Sequence, residues 1–241
     1  MSNRTGSYLL LSTITLLSVF GCNADNSARV DSFDLRKGDL LFQDVDCPEL
    51  CDAIETVTQG YNNYNFSHVG IIARDEKGNI SVIEAVSAGV SVTDISSFLN
   101  RSADRNNMPK VVVGRLKRPY RGLITAALEY AAELKGKSYD KTFAVNNDAY
   151  YCSELVYEVF MLANDRQPLF ELQPMTFKDP VTGQTLDVWK EYFAQLGVPV
   201  PQGEPGINPG GISRSAVLDI VYVYGEPSPK QLGYKNAVSE K

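Results

Sequence analysis

Residues 65–86 read NFSHVGIIARDEKGNISVIEAV, and this stretch decides the fold because it predicts a β-hairpin. Two runs rich in β-branched residues, 67–73 and 79–86, flank a polar turn with a glycine near its end. Such a turn pairs residues whose numbers sum to about 154, which puts His68 and Glu84 diagonally across one face, roughly 7–8 Å apart. A slip of one residue would separate them onto opposite faces.

Glu84 is the residue of this hairpin that most needs an explanation. A carboxylate in an otherwise apolar strand costs several kcal/mol if it is buried without a partner, on the order of the penalty for burying a charge. His68, the one histidine of the chain, is the partner that the register offers. The alternative is that Glu84 lies on an edge strand and faces water, in which case His68 is an ordinary core or edge histidine.

Cys152 is the third residue with chemical potential, in the sequence YYCSELV at 150–156. The pattern predicts a helix over 149–162 with Asp148 as its N-cap, so the cysteine lies near the first turn. The helix dipole and the unpaired N–H groups there favour a thiolate, and a nearby imidazole would favour it further. The alternative is a buried, unreactive free cysteine.

The remaining patterns predict an α+β fold, a small antiparallel sheet or barrel packed against helices. Residues 164–215 are rich in Pro and Gly and form a long insert before the last strand. We expect this insert to shape a substrate pocket, with Arg214 as an anion contact, although a plain surface excursion is equally compatible. The further strands are predicted at 40–42, 111–116 and 218–224, and the further helices at 47–59, 123–134 and 186–196.

The first residues are typical of a targeting signal. Residues 1–21 carry a single charge, Arg4, and end in Val19-Phe20-Gly21-Cys22, which resembles the lipobox of bacterial lipoproteins. We therefore predict a signal peptide over 1–21, lipidation of Cys22, and a tether over 22–32 that holds the protein at the bacterial cell envelope, periplasmic or on the outer membrane. The alternative is a simple secretory signal with a coincidental cysteine.

The net charge of the chain disfavours one class of partner. The formal net charge is −6 and no basic stripe is present, which disfavours nucleic acid as a partner.

Cys47 and Cys51 could form a disulfide in an oxidising compartment, although a spacing of four within a helix strains that geometry. They could equally be two small residues in a packed turn. A metal site is disfavoured because no histidine or second cysteine pair lies nearby in the sequence.

Four motifs together resemble the circularly permuted, papain-like NlpC-type cysteine amidases, and the YiiX group in particular. Their order, with histidine and glutamate before cysteine, matches the permuted branch, and the resemblance covers about residues 33–160. The motifs are GDLLF at 38–42, FSHVGI at 66–71, VIEA at 82–85 and YCSELV at 151–156.

The resemblance implies a role for each site residue. Cys152 would be the nucleophile, His68 the base and Glu84 the residue that orients the imidazole. The backbone N–H of Cys152 would contribute to an oxyanion hole, with Tyr151 or Tyr150 beside it. Neither a metal nor an organic cofactor would be required. The catalytic domain would span 33–232, followed by a tail over 233–241.

The resemblance and the predicted anchor together imply a hydrolase that cleaves an amide bond in cell-wall peptides or their fragments through a thioester acyl-enzyme. Two alternatives remain open. One is a lipid acyltransferase or thioesterase of the same superfamily, which a deep apolar groove would favour over a small polar pocket. The other is a non-catalytic envelope binding module, in which Cys152 would be buried and unreactive.

Overall fold

The hairpin predicted from residues 65–86 lies within a six-stranded antiparallel sheet. The structure, a computed structural model, describes residues 33–47 and 49–230. The predicted signal peptide, the lipidation site Cys22, the tether and the tail lie outside the described residues. The strands are β1 (Leu40–Gln43), β2 (His68–Arg74), β3 (Ile80–Val86), β4 (Gly89–Asp94), β5 (Val111–Leu116), β6 (Gln173–Pro174), β7 (Pro205–Gly206) and β8 (Leu218–Tyr224).

The sheet order is β4-β3-β2-β1-β5-β8, and β6 and β7 form a separate two-stranded pair. In the hairpin, Ile71 pairs with Ile83 and Ile72 with Val82, so the paired numbers sum to 154 as predicted. Because β3 lies between β2 and β4, Glu84 is not on an edge strand, and it is fully buried. The alternative of an edge charge facing water is therefore wrong.

Helices cover both faces of the sheet. They are α1 (Leu50–Val57), α2 (Ile95–Leu99), α3 (Ile124–Glu133), α4 (Cys152–Ala163), α5 (Asp187–Leu196) and α6 (Pro209–Ser213). Apolar residues of α4 pack with Val69 and Ile71 of β2 in the largest core cluster, whereas Phe98 of α2 packs with Ile72 and Val82 on the opposite face. The result is an antiparallel sheet between helices, which confirms the predicted α+β class.

Two predicted helix starts are wrong for local reasons. Helix α4 begins at Cys152 and not at 149, because Ala149 and Tyr150 are extended and pair with the backbone at Ser138 and Asp140. Asp148 is therefore not the N-cap, and its carboxylate instead accepts hydrogen bonds from Lys137. The correction makes Cys152 the first residue of its helix.

Helix α1 begins at Leu50 and not at residue 47, and this start removes the geometric objection to a disulfide between the two nearby cysteines. Cys47 and Cys51 form a disulfide with their Cα atoms 5.3 Å apart. Because Cys47 precedes the helix, the objection to a disulfide within one helical turn does not apply. The bond ties the loop after β1 to α1.

The insert over 164–215 has an apolar cluster of its own. Phe177, Leu186, Trp189 and Phe193 are buried together with Ala53 of α1. The predicted helix over 186–196 is confirmed as α5, whereas β4 and α2 had no counterpart in the sequence prediction. The insert is thus packed onto the domain through α1.

This packing predicts that the insert contributes to global stability. Trp189→Ala should lower the free energy of unfolding by about 3–5 kcal/mol, because it removes the largest side chain of the insert cluster. Val181, in the same insert but 68% exposed, provides the control, and Val181→Ala should change stability by less than about 0.5 kcal/mol. Urea unfolding followed by circular dichroism would measure both, and equal effects would contradict a packed insert.

Candidate active site

His68 and Glu84 form a buried pair. The distance from His68 Nε2 to Glu84 Oε2 is 2.5 Å. His68 is the first residue of β2, and its ring lies 5.9 Å from the ring of Phe98 on α2. The diagonal contact predicted from the hairpin register is therefore present in the structure.

Glu84 has two further partners. Arg101 donates from Nη1 to Oε2 at 2.8 Å and from Nη2 to Oε1 at 2.7 Å, and the Thr93 hydroxyl donates to Oε1 at 2.6 Å. Burial alone would raise the pKa of Glu84, but the hydrogen bonds from Arg101 and His68 outweigh it and hold that pKa well below its usual range. Glu84 is therefore a carboxylate at all physiological pH values.

Cys152 completes the group of predicted residues. It lies near enough to His68 to influence the pKa of that imidazole, and the residue is 6% exposed. Because Nε2 of His68 is engaged with Glu84, Nδ1 is the ring nitrogen that remains for the sulfur. The backbone N–H of Cys152, the first residue of α4, has no acceptor within its own helix and lies at the positive end of the helix dipole.

These neighbours change the protonation of His68. Burial would lower the pKa of His68, but the hydrogen bonds and charges of Cys152 and Glu84 raise it to about 9. The imidazole is thus poised to be an imidazolium at neutral pH when a thiolate is beside it.

A pocket of about 160 Å³ opens beside Cys152. Among the described residues that line it, none is charged. Aliphatic and aromatic side chains dominate the wall, and the insert over 164–215 supplies a large part of it, as predicted. Prominent lining residues are Ile54, Tyr139, Phe143, Phe177, Trp189 and Ile207.

The residues on either side of Cys152 bind the insert directly. The Ser153 hydroxyl donates to the carbonyl oxygen of Ile207 at 2.9 Å, and the Tyr151 hydroxyl accepts from the Ile207 N–H at 3.2 Å. Tyr151 lines the pocket, whereas Tyr150 is half-buried and does not. Arg214 is exposed after α6 and also lies outside the pocket lining, so the expected anion contact is not part of this pocket.

Sequence reasoning missed three residues of the site. Thr93 lies on β4 and Arg101 lies two residues after α2. Residues 89–101, here called the β4–α2 segment, were not predicted, and nothing local marks Arg101 as the counterion of Glu84. Phe143 lines the pocket with a φ of 57°, a rare conformation for a bulky residue, and its ring packs against Tyr151 and Trp189. The only available signal was general: a buried Glu84 requires a cation or several donors.

Comparison with known proteins agrees with this geometry. A family model described as permuted papain-like amidase enzyme, YaeF/YiiX, C92 family, matches residues 34–222. The chain belongs to this family. It is accordingly a cysteine peptidase or amidase, a hydrolase, and the predicted resemblance is confirmed.

A solved structure shares the C92 fold of this chain. It is the crystal structure of metalloprotein yiiX from Escherichia coli O157:H7, with a TM-score of 0.63 and 24% identity. The match covers 79% of this chain and 98% of that chain. The search of curated proteins found no match.

The description of yiiX as a metalloprotein raises the question of a metal in this C92 chain. Within 33–47 and 49–230, no group of three or more His, Cys, Asp or Glu side chains is arranged to hold a metal ion. The residues around Cys152 therefore do not fit a metal site. In the same part of the chain, every helix is too short or too polar to cross a bilayer.

Glu154, in the first turn of α4, is a second buried carboxyl group near the cysteine. It is 3% exposed and accepts a hydrogen bond from the Tyr151 N–H at 3.3 Å. Burial raises the pKa of Glu154 to about 8, and the nearby Asp140 adds to the rise. Since the ionised form is disfavoured in the folded state, Glu154 should lower stability as pH rises from about 4.5 towards 8.

Replacing Glu154 tests this sign directly. Glu154→Gln keeps an acceptor for the Tyr151 N–H but cannot ionise, so its Tm should match that of the wild type near pH 4, below the unfolded pKa. At pH 8.5 the variant Tm should be higher by about 3 °C or more, measured by differential scanning calorimetry. Glu133→Gln, at an exposed position on α3, is the control and should show no such pH dependence. A Glu154→Gln difference that is constant with pH would contradict the burial argument.

Proposed function

We propose that this C92 hydrolase cleaves an amide bond through a thioester formed on Cys152. One observation supports this most strongly: Cys152 lines the pocket and lies near His68, whose imidazole Nε2 is 2.5 Å from the buried carboxylate of Glu84. This arrangement supports the assignment of Cys152 as nucleophile, His68 as base and Glu84 as orienting residue.

The proposed reaction has two halves. The Cys152 thiolate attacks the carbonyl carbon, the C–S bond forms, and the backbone N–H of Cys152 stabilises the developing oxyanion, with Tyr151 beside it. The His68 imidazolium gives its proton to the leaving nitrogen as the C–N bond breaks. His68 then takes a proton from water, which attacks the thioester, and the acid leaves as the C–S bond breaks.

Cell-wall peptides or their fragments are the proposed substrates, since the predicted lipid anchor at Cys22 would hold the enzyme at the bacterial envelope and the membrane would be its partner through that anchor. The uncharged pocket adds a condition. It favours a substrate with an apolar or aromatic group next to the scissile bond, because a free amine or carboxylate there would be desolvated without a counter-charge.

The same apolar lining favours a second candidate function, a thioesterase or acyltransferase that acts on acyl chains. The attack by Cys152 and the proton transfer by His68 would be the same. The leaving group would differ, and in an acyltransferase an acceptor hydroxyl or amine would take the place of water in the second half. Incubation of the purified protein with peptidoglycan fragments, with N-acyl amides and with acyl thioesters, followed by mass spectrometry, separates the two. Release of an amine supports the amidase, whereas turnover of thioesters or lipids alone overturns it.

Cysteine alkylation tests the proposed machinery without knowledge of the substrate. At pH 6, iodoacetamide should modify Cys152 at least about tenfold faster than an ordinary thiol, because an imidazolium beside a cysteine increases its reactivity. His68→Ala should remove this advantage, and peptide mapping by mass spectrometry locates the modified cysteine. Slow labelling that does not respond to His68→Ala would instead support a non-catalytic binding module.

Substitution of the nucleophile gives the matching activity test. Cys152→Ala should reduce turnover of any substrate that the mass-spectrometry screen identifies by at least about a thousandfold. The circular dichroism spectrum of the variant should match that of the wild type. Full activity in Cys152→Ala would assign the reaction to another residue.

A further inference from the structure

The carboxylate of Glu84 is held by more groups than an orienting residue needs. Its Oε2 accepts from His68 Nε2 and from Arg101, and its Oε1 accepts from Arg101 and from Thr93. Both oxygens are thus occupied twice, and the planar fork of Arg101 fixes the plane of the carboxylate. Only one rotation of Glu84 satisfies all four contacts.

Arg101 is itself held in place by the segment that precedes it. Its guanidinium lies 5.1 Å from the centre of the Phe98 ring, and that ring lies 5.9 Å from the His68 ring. The carbonyl oxygen of Phe98 accepts from Gln43 Nε2 at 2.8 Å, which anchors the end of α2 to β1. Asp94 caps the start of α2 through the N–H groups of Ser96 and Ser97. The β4–α2 segment therefore delivers Thr93 and Arg101 to the same carboxylate.

A neutral Glu84 would disable the pair with His68. A protonated carboxyl group would leave the imidazolium without its counter-charge in a buried site, and the thiolate of Cys152 would lose the cation that stabilises it. Glu84 is fully buried, so water cannot replace a lost donor. Among the described residues, the charged or titratable groups that act on Glu84 are Arg101 and His68, and Cys152 on α4 acts on His68 in turn.

We propose that Arg101 is a positioning residue which, together with Thr93, keeps Glu84 ionised and aimed at His68 Nε2, so that the imidazolium–thiolate pair persists at acidic pH. This inference rests on the proposed function of Cys152 and His68. Arg101 acts through Glu84 and not on the substrate. A purely structural ion pair would stabilise the fold but would leave the pH profile of Cys152 alkylation unchanged.

The pH profile of Cys152 alkylation tests the proposal on the full chain. In Arg101→Gln, the pH below which iodoacetamide labelling slows should rise by at least about one unit, because Glu84 takes up a proton more readily without the guanidinium. Arg101→Lys keeps the charge but not the fork and should give an intermediate shift. Thr93→Val removes one neutral donor and should give a smaller shift in the same direction.

Arg115 offers a closely matched control. Its Nε and Nη2 each lie 2.7 Å from an oxygen of the buried Asp39, and its guanidinium lies 5.6 Å from the Phe33 ring, but the pair has no contact with His68. Arg115→Gln should lower Tm by an amount similar to Arg101→Gln and leave the alkylation profile unchanged. This separates lost stability from a lost positioning role.

The outcomes are distinct. An unchanged profile in Arg101→Gln, with Tm lowered as in Arg115→Gln, overturns the positioning role and leaves the proposed function standing. If Arg101→Gln does not fold, Thr93→Val decides, and an unshifted profile there overturns the proposal. If Cys152 is labelled at the same rate in the wild type and in His68→Ala, the proposed function is overturned, and the role of Arg101 with it.

Discussion

A carboxylate with no exposed surface, Glu84, is the constraint on which this structure depends. Left without partners, it would cost several kcal/mol, on the order of the penalty for a buried unpaired charge. Strand β2 provides His68, and the β4–α2 segment provides Thr93 and Arg101, so elements from both sides of β3 converge on one side chain. His68 thus has two roles: it helps to offset the cost of burying Glu84, and it is the only histidine of the chain and lies near Cys152.

The sequence was sufficient for the parts of the site that depend on local rules. The hairpin turn determined the register, and the register determined that His68 and Glu84 meet, because side chains two positions apart on a strand share a face. The α+β class followed from the clustering of predicted strands and helices, and the permuted papain-like family from four motifs in a fixed order. The start of α4 was misjudged because pairing of residues 149 and 150 with the chain near 138–140 is a long-range contact that helix propensity does not contain.

Residues that act through tertiary contacts could not be selected from the sequence. A counterion for Glu84 was required, but the chain offers 23 lysines and arginines, and only the fold of the β4–α2 segment singles out Arg101. The insert posed the same difficulty. Its Pro- and Gly-rich composition predicted loops that shape a pocket, whereas its aromatic cluster on α1 and the hydrogen bonds between Ser153, Tyr151 and Ile207 depend on packing. The uncharged pocket that results narrows the chemistry of the proposed substrate.

Nuclear magnetic resonance of the His68 ring nitrogens tests the central claim most directly, since a chain with one histidine gives one unambiguous imidazole signal. Both ring nitrogens should carry protons at pH 7 and the ring should titrate near pH 9, because Glu84 and the Cys152 thiolate stabilise the cation. In Cys152→Ala the midpoint of the titration should fall. A ring that is neutral at pH 7 and titrates at the same pH in both proteins would show that the sulfur and the imidazole do not form the proposed ion pair.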